Sequence, residues 1–126
     1  MRRVLIAEDD VDTAAAIKTT LEESLPVVVD LVTNGALVLD QLVATRPDLI
    51  ILDVTLPGLN GIDVFDLVRG SDKWDGPVLF LTASPDRARR AFARNGVREI
   101  MRKPFEARTL VSRVSRLLER SEKVAS

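Results

Sequence analysis

Three carboxylates in a row, Glu8, Asp9 and Asp10, follow directly on the apolar run RVLIA at residues 3–7. Asp53 closes a second such run, DLIILD at 48–53. Thr82, with the small Ala83 beside it, closes a third, PVLFLT at 77–82, and Lys103 follows a weaker fourth, VREIM at 97–101. If these runs are parallel strands, their carboxyl ends share one edge of a sheet, where function gathers in open α/β folds. Two unit charges about 4 Å apart interact by roughly 4 kcal/mol at an effective dielectric near 20, so converging Glu8, Asp9 and Asp53 require protonation or a cation. Oxygen ligands alone favour Mg2+, which accepts one or two carboxylates, a backbone carbonyl and several waters; Mn2+ would substitute. The Thr82 hydroxyl and the Lys103 ammonium suit phosphate oxygens. Together these groups fit phosphoryl transfer onto the Asp53 carboxylate.

Each residue also has a plainer use. Asp9 or Asp10 would cap a helix beginning near Val11. Thr82 alone is a strand-end hydroxyl and Lys103 alone a solvated charge. Their shared position at strand ends favours the joint use.

The elements that must position them are legible from periodicity. With VVVDLV at 27–32 the strands number five. Helical spacing separates them: Ala14, Ile17 and Leu21; Leu39, Leu42 and Val43; Ile62, Phe65 and Val68; and, last, Leu110, Val114 and Leu117. Pro26 and Pro47 precede strands, Gly70 to Pro77 separates a helix from a strand, and Asn95-Gly96 marks a helix stop. Strands that are continuously apolar imply helices on both faces of a parallel sheet, hence a doubly wound α/β domain of five strand-helix repeats. Residues 1–121 form this domain, and 122–126 read as a tail or the start of a linker.

Composition narrows the chemistry. The 126 residues contain no cysteine and no histidine. No disulfide framework, thiol nucleophile or Ser-His-Asp mechanism is available, and the chain cannot itself be a phosphohistidine donor. No apolar run approaches the roughly 20 residues that cross a bilayer, so the expected setting is the cytoplasm, without membrane contact. Net charge is only −1, but residues 1–86 carry 6 Lys+Arg against 15 Asp+Glu, and residues 87–126 carry 12 against 4.

From RVLIAEDD through ILDVTLPGLNG and FLTAS to RKPF, the whole chain resembles the receiver domains of two-component response regulators. The resemblance implies a flavodoxin-like (βα)5 fold with strand order 2-1-3-4-5. It implies that Asp53 accepts a phosphoryl group from a sensor histidine kinase or histidine phosphotransfer protein. Asp9, Asp53 and the Thr55 carbonyl would hold Mg2+, with Glu8 acting through a metal-bound water. Thr82 would move toward the phosphoryl oxygens, Ala83 would keep the entrance open, and Lys103 would contact the acyl phosphate. Asp10 falls outside the acidic pair and goes to the first helix turn. The family typically has a cis peptide at the position of Lys103-Pro104, although Pro104 would equally begin a helix. Such a domain catalyses its own phosphorylation and dephosphorylation without turning over small substrates.

Ile100 departs from the family, which usually has Tyr or Phe there as the aromatic half of a switch. The family's output face is built from helix 4, strand 5 and helix 5. Here those segments carry Arg87, Arg89, Arg90, Arg94, Arg98, Arg102, Arg108, Arg113, Arg116 and Arg120. This excess opposes symmetric self-pairing and suits an acidic protein partner. The alternative is a solvated face with local ion pairs, such as Arg102 or Arg116 with Glu119. Direct nucleic-acid binding is disfavoured, since Trp74 is far from the basic end and no helix-turn-helix is left to place. Two rivals remain. A haloacid-dehalogenase-type phosphohydrolase would need an aspartate where Thr55 stands. A receiver-like interaction module without phosphorylation is opposed by the intact Glu8, Asp9, Asp53, Thr82 and Lys103, and Ile100 keeps it open.

Overall fold

The apolar runs form five parallel strands in the computed structural model, which describes residues 1–92 and 99–125, and their side chains except at 87, 90–92 and 120–125. In chain order the elements are β1 (Arg2–Ala7), α1 (Val11–Ser24), β2 (Val27–Val32), a 3-10 turn (Gly35–Leu37), α2 (Val38–Thr45), β3 (Leu49–Asp53), α3 (Gly61–Ser71), β4 (Val78–Thr82), α4 (Pro85–Phe92), β5 (Ile100–Arg102) and α5 (Ala107–Ala125). The sheet order is β2-β1-β3-β4-β5, the expected doubly wound flavodoxin-like arrangement.

Register brings the strand ends together. Ala7 lies opposite Val32 on one side and Leu52 on the other, Asp53 opposite Leu81, and Thr82 opposite Arg102. The residues immediately beyond these ends therefore meet along one edge.

Alternate strand residues point to opposite faces, and both faces are covered. Leu5, Ala7, Ile50, Leu52 and Phe80 pack with Val38, Leu42, Val64, Phe65, Val68 and Ala88 from α2, α3 and α4. Val4, Ile6, Leu49, Ile51, Leu79 and Leu81 pack with Ile17, Leu21, Leu110, Val114 and Leu117 from α1 and α5. Two-sided burial is why β1, β3 and β4 lack polar alternation.

Some boundaries differ from expectation. α2 buries Val38 and Leu42 while Val43 is exposed, because the helix starts at Val38 after the 3-10 turn and its buried pair is spaced i, i+4. In α3, Val64 joins Phe65 and Val68 in the core, and Ile62 is only partly buried. β5 starts at Ile100; residues 97 and 98 of the expected strand, and the stop expected at 95–96, lie outside the described residues. Pro104 does not begin α5, which starts at Ala107 and continues to Ala125. Among the described residues, no helix is long and apolar enough to cross a membrane.

Candidate functional site

The three consecutive acids divide at the end of β1. Glu8 continues the strand direction, its N–H donating to the Val32 carbonyl at 3.0 Å, and its carboxylate is buried. Asp10 turns outward and caps α1, accepting from the Thr13 N–H at 3.0 Å and from the Thr13 hydroxyl. These bonds hold its carboxyl below its ordinary pKa. Asp9 lies between them and is exposed.

Asp53 ends β3 with a buried carboxylate. One carboxylate oxygen from each of Glu8, Asp9 and Asp53 lies within 4.8 Å of the other two. Asp53 Oδ1 accepts the Thr55 N–H at 3.0 Å, and the following loop is drawn back when Gly61 N–H donates to the Val54 carbonyl at 2.8 Å. Asn60 caps α3 by accepting from the Ile62 and Asp63 N–H groups, so loop and helix are fixed together.

Lys103 enters from the far side. Its N–H donates to the Thr82 carbonyl at 2.9 Å, and the Lys103-Pro104 peptide is cis. Its Nζ donates to Glu8 Oε2 at 2.7 Å and to Asp53 Oδ2 at 2.9 Å. Burial pushes the Glu8 carboxyl up to about 7, aided by the neighbouring Asp53 and opposed by Lys103. Burial alone would lower the Lys103 pKa, but hydrogen bonds and charge from Glu8 and Asp53 outweigh it and leave the ammonium above its ordinary value. The structure thus answers crowded negative charge with an internal cation.

Thr82 is buried at the end of β4, the neighbour of β3, and its Oγ1 accepts the Ser84 N–H at 2.9 Å. Ala83 and Thr55 are exposed at the rim. Ile100 is half-buried and packs against the core on the α2, α3 and α4 side. Every donor among the clustered acids is a carboxylate oxygen, a set that fits a hard divalent ion such as Mg2+.

The arginines are less free than their number suggests. Arg113 and Arg116 each reach Glu99 at 3.5 Å, and Arg113 also donates to the Ile100 carbonyl. The local ion pair therefore forms with Glu99, which precedes β5, rather than with Glu119. Arg89 pairs with Asp86 at 2.7 Å, whereas Arg102 and Arg108 are exposed. Arg94 and Arg98, and the side chains of Arg87, Arg90 and Arg120, lie outside the described residues.

Two relationships escaped sequence reasoning. One is the direct Lys103–Glu8 ion pair, whose only signal is an excess of acid at an edge reached by one lysine. The other is a contact between the turn after β2 and the loop after β3, where Gly35 N–H donates to the Pro57 carbonyl at 3.1 Å.

Residues 4–115 match the response regulator receiver domain family. The chain is similar to the DNA-binding response regulator MtrA of Mycolicibacterium smegmatis, with 33% identity over 123 residues, 96% of this chain and 52% of that protein. It is equally similar to the response regulator MprA of Mycobacterium tuberculosis, 33% identical over 124 residues, 95% of this chain and 52% of the relative. The chain thus spans about half the length of these curated relatives. Among solved structures, the receiver domain of the Francisella response regulator 1452 superimposes with a TM-score of 0.85 at 28% identity, covering 96% of this chain and 99% of that one.

Proposed function

The chain belongs to the response regulator receiver domain family, and from that premise we propose that Asp53 is its phosphoacceptor. The observation that carries this is the Lys103 Nζ lying 2.9 Å from Asp53 Oδ2 beside the Glu8 and Asp9 carboxylates. It pairs a buried carboxylate with a cation suited to phosphate oxygens.

Receiver domains act with histidine kinases or phosphotransfer proteins and hold Mg2+ in an acidic pocket, and the clustering of Glu8, Asp9 and Asp53 supports placing that pocket here. In the proposed reaction an Asp53 carboxylate oxygen attacks the phosphorus of a partner's phosphohistidine. The N–P bond breaks, the imidazole leaves, and an aspartyl phosphate forms. Asp9, Asp53 and the Thr55 carbonyl would hold the metal, with Glu8 acting on it indirectly, and Mn2+ would substitute for Mg2+. When bound, the ion neutralises charge on the transferring group. Thr55 N–H fixes the other Asp53 oxygen. Lys103 moves from the carboxylates to the phosphoryl oxygens, the Thr82 hydroxyl turns from Ser84 N–H toward the same group, and Ala83 leaves the entrance open. Water later hydrolyses the acyl phosphate, so the only turnover is of the chain's own modification.

The setting we propose is the cytoplasm, with residues 1–121 as the functional unit. The output face includes the arginine-bearing surface of β5 and α5, with Arg102, Arg113 and Arg116 docking an acidic protein. The MtrA relative is named as DNA-binding and is about twice as long; for these 126 residues we propose a protein as the direct partner. Association should weaken as salt rises and on charge reversal at Arg113 and Arg116.

Incubation with a radiolabelled phosphohistidine phosphotransfer protein tests the reaction. Label should move to this chain in a form released by hydroxylamine, as an acyl phosphate is. Absence of transfer to the wild-type chain, or equal transfer to Asp53→Asn, contradicts the proposal.

A further inference from the structure

The end of β2 and the turn that follows it touch the two halves of the acidic site from behind. On one side Val32, two residues before Asn34, accepts the Glu8 N–H at 3.0 Å. On the other side Gly35 N–H donates to the Pro57 carbonyl at 3.1 Å, two residues past Thr55. The turn is itself tightly made: Asn34 Oδ1 accepts the Ala36 N–H at 2.8 Å, and Leu37 N–H donates to the Asn34 carbonyl at 3.1 Å.

The two segments also interlock sterically. Gly35 is buried, and a Cβ there would overlap the Leu59 carbonyl oxygen and press on Val64. Gly58 has φ +83°, which favours glycine, and the Asn34 amide occupies the space where a side chain at Gly58 would begin. The loop after Asp53 is thus pinned at four points: Val54 N–H on the Leu81 carbonyl, Thr55 N–H on Asp53, Gly61 N–H on Val54, and Pro57 on Gly35. The first comes from β4 and the last from the turn after β2, and of these two the Gly35 bond is the one beyond Thr55.

We propose that Asn34 and Gly35 are positioning residues of the acidic site, bracing the loop that carries Thr55 so that its carbonyl and the Asp53 carboxylate face one ion together with Asp9. This rests on the reading of that cluster as a Mg2+ site. Residues that orient metal ligands from behind typically govern affinity by 10–100-fold when replaced. By linkage, filling the site must also bias the turn.

The test is Mg2+ titration of the whole chain, followed by backbone amide NMR, with folding checked by circular dichroism. Gly35→Ala is expected to weaken Mg2+ binding by about tenfold or more while Gly70→Ala, whose added Cβ meets nothing within 4 Å, leaves it unchanged. In the wild-type chain the Gly35 and Ala36 amides should shift together with Thr55 as Mg2+ saturates. A folded Gly35→Ala variant with wild-type affinity overturns the proposal. If that variant does not fold, the wild-type spectra and Asn34→Ala decide. A moving Thr55 amide with stationary Gly35 and Ala36 amides, or undiminished affinity in Asn34→Ala, overturns it equally. A wild-type chain that binds no Mg2+ contradicts the metal-site reading itself, and this inference with it.

Discussion

Lys103 and Glu8, 95 residues apart in the chain, are joined by an ion pair of 2.7 Å. The same ammonium reaches Asp53 at 2.9 Å, so one lysine bridges the ends of β1 and β3. A cation entering the acidic cluster must share or replace this lysine.

Replacing Lys103 with Met removes that bridge and leaves two buried carboxylates facing each other. Losing one partner of a buried pair should cost about 3 kcal/mol in metal-free protein. Urea unfolding with and without Mg2+ measures it. Mg2+ should stabilise the variant more than the wild type, because the ion then supplies the missing positive charge. Equal Mg2+ stabilisation of the two proteins would argue against a shared site.

The buried Glu8 carboxyl sets a pH dependence. Its folded pKa of about 7 lies above the ordinary 4.5, so between those values the folded chain holds a proton that the unfolded chain has released. Metal-free stability should therefore fall as pH rises through this window and level off above it. Glu8→Gln should flatten that fall. Chemical denaturation across pH 4–8 in a chelator gives the slope, and a rise in stability attributable to Glu8 would contradict its assignment.

Asn60 joins the loop after Asp53 to α3 through two N–H groups. Asn60→Ala should lower stability by about 1 kcal/mol, and Asn60→Asp should restore most of it. Thermal and urea unfolding read this directly.

Phe80 is fully buried in β4 and meets Phe65 edge-on, with ring centroids 5.5 Å apart and planes at 65°. Phe80→Ala should cost about 4 kcal/mol by opening a cavity between the sheet and α3. Calorimetry or urea unfolding would detect a change of that size readily.

The sheet and the acids were legible because the signals are local. Unbroken runs such as LIILD are apolar because both sheet faces are covered, and a charge at the end of such a run falls at a predictable edge. Residue type alone left either Asp9 or Asp10 as the cap of the following helix, and it was the family resemblance that set Asp10 outside the acidic pair. The Lys103–Glu8 pair was hidden because strand-end residues give an edge but no side-chain reach. The tie between Gly35 and Pro57 was hidden for another reason: a glycine kept free by a neighbour's carbonyl looks the same in sequence as one required by a turn. The burial of Val38 in place of Val43 came from a 3-10 turn that hydrophobic spacing does not register.

The most direct measurement is the intact mass of the chain after incubation with acetyl phosphate, with and without Mg2+, beside Asp53→Asn. One added phosphoryl group that requires Mg2+ and disappears in Asp53→Asn is the expected result. No mass gain by the wild-type chain, or an equal gain by the variant, would contradict phosphorylation at Asp53.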